Sequence, residues 1–249
     1  MLQLDNTEYT NQAASLPEQE FPETTSKTAS KGFARGFALL IGVGKTPNAP
    51  MYSLSETVTD VRVLERVLTD RNMAGYDVEH VHSLVDSTAN VAKICAELQW
   101  LAEKAIGDAT VVVYFSGHGW KTFSDQSPSG ERYCLVTSEL DLNNIEGTVI
   151  WADKFVKLLS RITAKRLLVL IDTCHAAGMV SPRGEEISLP RGFKSTVPLK
   201  SLFHELGRGE GRAVISASKA GQSSYSHNFP PGTLRMGIPV TSLKHKKTG

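Results

Sequence analysis

Two stretches decide how this chain folds: Val111-Val112-Val113-Tyr114-Phe115-Ser116-Gly117-His118-Gly119 and Leu167-Leu168-Val169-Leu170-Ile171-Asp172-Thr173-Cys174-His175-Ala176-Ala177-Gly178. Each begins as a continuous apolar run and ends in small and polar residues with glycine. Short apolar runs bounded in this way read as strands buried on both faces. The first delivers His118 and the second Cys174. An imidazole and a thiol at the ends of two buried strands are the minimum apparatus of a cysteine nucleophile and its base.

Working outward, Phe37 to Val43 is a third apolar run, followed by a loop with Gly42, Gly44, Pro47, Asn48 and Pro50. Ser53 and Glu56 have capping-box spacing, and Val58, Val61, Leu64 and Leu68 form one helical face that Gly75 closes. Val78 to Leu84 alternates as a strand. Ser87 or Thr88 caps a second helix with Val91, Ile94, Leu98 and Leu101 as its stripe. Residues 119–131 read as a loop, Arg132 to Thr137 as a short strand, and Trp151 to Ile162 as a helix with Phe155, Leu158, Leu159 and Ile162 inward. Residues 181–211 are loop-like, and Ala213 to Ser218 is a last strand. Strands alternating with helices predict an α/β domain with a mainly parallel sheet. Such sheets place their sites beyond the carboxyl ends of the strands, where His118 and Cys174 both lie.

A net charge of +1 over 249 residues gives no strong pull toward nucleic acid or an anionic membrane. No apolar stretch approaches the roughly 18 residues that span a bilayer. Residues 1–31 are polar, lack the apolar core of a secretory signal, and read as a flexible tail. Three cysteines, Cys95, Cys134 and Cys174, with no export signal suggest free thiols in a reducing compartment, and so a cytoplasmic protein. Cys95 beside a helix stripe and Cys134 inside a strand read as structural. A zinc site from His118, Cys174 and His175 lacks ligand spacing, and Gly42-Val43-Gly44-Lys45-Thr46 lacks the spacer of a phosphate loop.

A free thiol has a pKa of about 8.5, and a neighbouring imidazole makes it a usable nucleophile at neutral pH. Gly117 and Gly119 would let the backbone turn at His118. The N–H groups of Gly119 and Cys174, on turns leaving their strands, are the candidate oxyanion donors.

The motifs Tyr114-Phe115-Ser116-Gly117-His118-Gly119 and Asp172-Thr173-Cys174-His175-Ala176-Ala177-Gly178 resemble the two catalytic motifs of bacterial metacaspases, caspase-like cysteine peptidases of the C14 family. Their histidine and cysteine lie 56 residues apart here, close to the caspase spacing of about 50. The resemblance extends from Phe37 to Tyr225 and includes the Ser-Ala-Ser strand at Ala213 to Ser218. It implies a caspase-haemoglobinase fold over residues 32–225 and endopeptidase activity through a His118–Cys174 dyad. Cleavage after arginine or lysine is implied as well. Asp172 stands where caspases carry glutamine, so a carboxylate would face a cationic P1 side chain. Asp60 resembles a second acid of that pocket, the alternative being a solvated helix charge, and Ser116 resembles a further lining residue.

Many metacaspases use calcium bound by a cluster of aspartates; no match to that cluster is found here, so calcium dependence is unsupported and no cofactor is assigned. The family habit of self-processing directs attention to Arg183, Arg191 and Lys194 beyond the nucleophile. Residues 226–249 do not resemble the family's closing strand and helices and read as an atypical tail. An exposed far edge of the sheet would then invite homodimerisation. The alternative to a peptidase is a catalytically impaired caspase-like module acting through protein interaction.

Overall fold

The computed structural model describes residues 33, 35–125, 130–174, 188–195 and 211–216. The expected tails, 1–31 and 226–249, lie outside them, as do Arg183 and His175. Among the described residues, five strands make a parallel sheet: β1 (Gly36–Gly42), β2 (Val81–Val85), β3 (Thr110–Phe123), β6 (Arg166–Cys174) and β8 (Arg212–Ser216). Their order is β2-β1-β3-β6-β8. The far half of β3 carries a second, antiparallel ribbon with β4 (Glu131–Val136), β5 (Val149–Trp151) and β7 (Phe193–Ser195).

Helix α3 (Ile145–Thr148) is a single turn, and the longer helices divide by face. Val61, Leu64 and Leu68 of α1 (Glu56–Thr69) pack against Ala38, Leu40, Val112, Tyr114 and Leu170. Ile94, Leu98 and Leu101 of α2 (Val91–Lys104) pack on the opposite face, with Phe155, Val156 and Leu159 of α4 (Ala152–Leu159). There they meet Leu39, Ile41, Val111, Val113, Phe115, Val169 and Ile171. Even-numbered residues of β1, β3 and β6 thus face α1 and odd-numbered ones face α2 and α4, as the two-residue strand period requires. Burial on both faces explains the absence of apolar–polar alternation in the sequence. A third cluster, with Ala49, Tyr52, Trp120, Cys134 and Trp151, fills the antiparallel ribbon.

Several local expectations are corrected. The segment 119–131 is not a loop throughout: β3 continues to Phe123, and Gly119 to Phe123 pair with β4. The segment 181–211 contains β7, paired with Trp120 to Thr122. The expected Ser53–Glu56 capping box does not form. Ser55 occupies the N-cap of α1 without a side-chain bond, while Ser53 Oγ accepts from Thr46 N at 3.2 Å. Asn90, rather than Ser87 or Thr88, caps α2, its side chain accepting from Lys93 N at 2.9 Å. Thr88 instead closes its own short turn by accepting from Val85 N. Trp151 ends a strand, and the helix begins after it.

Candidate active site

The register of β3 against β6 brings the predicted pair together. Ser116 lies opposite Asp172, Gly117 opposite Thr173, and His118 opposite Cys174, the last residue of β6. The next residue, Gly119, already pairs with Leu135 of β4. His118 therefore stands where β3 passes from parallel to antiparallel partners. Positions 116, 118 and 172 have the parity of the α1-facing side.

Gly117 and Gly119 do not make the expected turn; both lie inside the extended β3. Gly117 keeps the packing close instead. A Cβ there would lie 3.0 Å from Phe115 Cζ and 3.3 Å from Val43 Cβ, so these neighbours would have to give by a few tenths of an ångström. The turn that motivated Gly119 as an oxyanion donor is likewise absent, because Gly119 sits in a paired strand.

His118 is fully enclosed, at 1% exposure. Its Nε2 lies 3.0 Å from the Tyr52 carbonyl oxygen. A carbonyl only accepts, so Nε2 carries the proton, and in the neutral ring Nδ1 is the basic nitrogen. The group that orients the His118 ring thus belongs to the backbone. A carbonyl leaves no mark in residue type, so only the turn signals around Pro47 and Pro50 could have hinted at it.

Tyr52 is well braced. Pro50–Tyr52 form a single 3-10 turn, with Tyr52 N donating to Ala49 O at 3.0 Å and Ser53 N to Pro50 O at 3.1 Å. Thr46, wholly buried, donates its hydroxyl to Ala49 O at 2.7 Å. Leu54 N then closes back on Gly44 O at 2.8 Å, and Val43 N on Ser116 O at 2.9 Å. The stretch with a faint likeness to a phosphate loop is the foundation of this turn. The Tyr52 ring meets the His118 ring edge-on at 6.1 Å, and burial pushes its phenol pKa up, keeping the hydroxyl protonated.

Asp172, Asp60 and Ser116 are all buried, at 7%, 3% and 4% exposure. Asp60 is therefore not a solvated helix charge. It shares the buried face of α1 with Thr57, Val61, Leu64 and Leu68, the face turned to the even-numbered strand positions. Gly42 lets that helix approach, since a Cβ there would lie 2.8 Å from Thr57 O.

The remaining acids do local work. Glu139 accepts from Val91 N at 3.0 Å, Asp141 from Asn143 N at 2.9 Å, and Glu146 from Arg132 at 3.2 Å. Arg132 also stacks over the Trp151 ring at 3.8 Å. These three acids offer no convergent set for calcium, and no cluster of three or more metal-ligating side chains occurs among the described residues. Among the same residues, no helix is long and apolar enough to cross a membrane. Cys134 is buried, and its thiol pKa is pushed up to about 12, chiefly by that burial.

Comparison with known proteins matches the caspase-domain model of the peptidase C14 family to residues 35–243, past Tyr225. The metacaspase-1 of Cryptococcus neoformans is 25% identical over 181 residues, covering 69% of this chain and 37% of that protein. The metacaspase-1 of Yarrowia lipolytica is 27% identical over 195 residues, covering 73% of this chain and 39% of that protein. The chain thus spans about two fifths of the length of these relatives. Both are fungal, so the match establishes the family and not its bacterial branch. Among solved structures, a Geobacter sulfurreducens protein aligns at a TM-score of 0.45 with 21% identity, over 57% of this chain and 51% of that one, an overlap too loose to carry weight. With its two-faced parallel sheet and its match across most of the sequence, the chain belongs to the caspase-domain family, peptidase C14, and has the α/β caspase-haemoglobinase fold.

Proposed function

We propose that the protein is a cysteine endopeptidase that cleaves after arginine or lysine. Cys174 is the nucleophile, and His118 its general base and acid. The observation that carries this reading is the register of β3 and β6, which sets His118 beside Cys174 and Ser116 beside Asp172. In the first half-reaction His118 Nδ1 takes the thiol proton and the sulfur attacks the scissile carbonyl. The proton then passes to the leaving amine, and a thioester remains. Water resolves the thioester by the same steps, with His118 again accepting a proton. The Tyr52 carbonyl keeps the ring in the required tautomer and stabilises the imidazolium once it forms.

Specificity follows from charge. Two buried carboxylates, Asp172 and Asp60, suit a guanidinium or ammonium at P1 and repel a carboxylate. Self-processing after a basic residue belongs to the same reading. Arg191 is exposed in a turn, whereas Lys194 is paired with Lys121 in β7 and is the poorer site.

The test is hydrolysis of fluorogenic peptides with arginine, lysine or aspartate at P1, with and without calcium. Cys174→Ala should abolish turnover. Asp172→Asn should lower kcat/KM for P1 arginine by about 10- to 100-fold, the worth of one charge-assisted hydrogen bond. Preferential cleavage of P1-aspartate peptides would overturn the pocket assignment. Turnover surviving in Cys174→Ala would overturn the mechanism.

A further inference from the structure

The His118 contact leads away from the two strand ends to segment 188–195, which so far carries only Arg191 and the poorer Lys194 as candidate self-processing sites. We propose that Tyr52 is a positioning residue. Its side chain ties segment 188–195 to the general base, so that this strap sets how firmly the His118 imidazole is held in its working tautomer. The inference rests on the peptidase reading given above.

Five contacts make the connection. The Tyr52 carbonyl accepts from His118 Nε2 at 3.0 Å, and the same residue's phenol donates to Ser188 O at 2.7 Å. One residue therefore grips the base with its backbone and the strap with its side chain, across 136 positions of sequence. The Tyr52 ring also meets Trp120 edge-on at 5.0 Å, and Trp120 meets Phe193 of the strap edge-on at 5.9 Å. Finally, Thr122 Oγ1 donates to Gly192 O at 3.0 Å beside the three-residue β7–β3 pairing. Leu189 and Phe193 pack on the cluster that holds Tyr52 and Trp120.

A strand as short as β7 is marginal on its own, so the strap depends on these side-chain anchors. The dependence runs both ways. With the phenol bonded, the Tyr52 peptide is fixed from two sides and its carbonyl stays aimed at Nε2. Without that bond the 3-10 turn is held from its own side only, and the imidazole samples both tautomers more readily. An ordinary core tyrosine would contribute to stability alone; this one should also affect the protonation pattern of His118.

The test uses the full chain labelled with 15N at histidine. Long-range 15N–1H NMR reads the His118 tautomer and the exchange of its Nε2 proton, and kinetics on a P1-arginine peptide are measured alongside. Wild type should show the Nε2–H tautomer with a protected proton. Tyr52→Phe removes only the hydroxyl and keeps both the ring and the carbonyl. It should mix the tautomers and speed Nε2–H exchange, and kcat should fall about three- to tenfold, the size of one net hydrogen bond, with KM within about twofold.

Thr122→Val loosens the strap at Gly192 without touching Tyr52 and should shift exchange in the same direction. It decides the matter if Tyr52→Phe does not fold. Wild-type tautomer and exchange in both variants would overturn the proposal. If wild type hydrolyses no peptide, the peptidase reading falls, and the NMR result alone still decides whether the strap holds the histidine.

Discussion

Gly42→Ala links the fold to the site through one atom. A Cβ at position 42 would lie 2.8 Å from Thr57 O, 2.9 Å from Val61 Cγ2 and 3.2 Å from Thr57 C. Ordinary carbon contacts begin near about 3.5 Å, so the shortfall is about half an ångström or more. Val61 can turn aside, but Thr57 O is backbone in the first turn of α1 and cannot move without the helix. Overpacking of this kind costs about 1–3 kcal/mol. For a chain of this size that lowers Tm by about 2–12 °C.

The displaced helix carries Asp60 one turn beyond Thr57, so the same variant should raise KM for P1-arginine peptides more than it lowers kcat. Thermal melts followed by circular dichroism, together with peptide kinetics, measure both effects. Adding Val61→Ala should restore little stability, because the backbone contact remains. An unchanged Tm in Gly42→Ala would refute the packing argument. Full rescue by Val61→Ala would show that the side chain, and not the helix backbone, is the obstacle.

Two further outcomes follow from the chemistry of individual groups. With its thiol pKa pushed up to about 12, Cys134 should react with iodoacetamide at pH 7.5 about three orders of magnitude more slowly than an ordinary thiol of pKa about 8.5. Peptide mapping by mass spectrometry reads this, and labelling of Cys134 in the folded protein at a rate near that of Cys95 would contradict it. Glu131, held below the usual carboxylate range first by the Tyr133 hydroxyl at 2.6 Å and then by Lys121 at 2.9 Å, should make stability pH-dependent. A carboxyl depressed in the folded state stabilises fully above its unfolded pKa of about 4.5, and that contribution disappears as pH falls through the lower folded value. The Tm difference between wild type and Glu131→Gln should therefore shrink on acidification below about pH 4.5; a difference that grows would show the wrong sign.

Much of the parallel sheet was legible in the sequence, since strands buried on both faces must be continuously apolar and α1 and α2 show their stripes. The second half of β3 was not. Gly117, Gly119 and Lys121 interrupt the apolar run and read as a loop, although Trp120 is wholly buried there. Pairing with β4 and β7 decides the conformation of that segment, and a strand in an antiparallel ribbon owes its stability to its partners more than to its own residues. Helix caps are ambiguous in the sequence for a similar reason, because Ser53, Ser87, Thr88 and Asn90 are all competent caps and only the path of the chain selects among them.

By itself, the sequence determined which residue types stand at the two strand ends: His118, Cys174, Asp172 and Ser116. Tertiary structure alone decided that β3 and β6 are neighbours in the register that sets His118 against Cys174. It also decided that Asp60 is buried on the helix face over the same sheet, and that the imidazole is held by the Tyr52 carbonyl. The reason is physical. Side-chain chemistry is written residue by residue, whereas register and carbonyl direction belong to the backbone, which is the same at every position until the chain is folded.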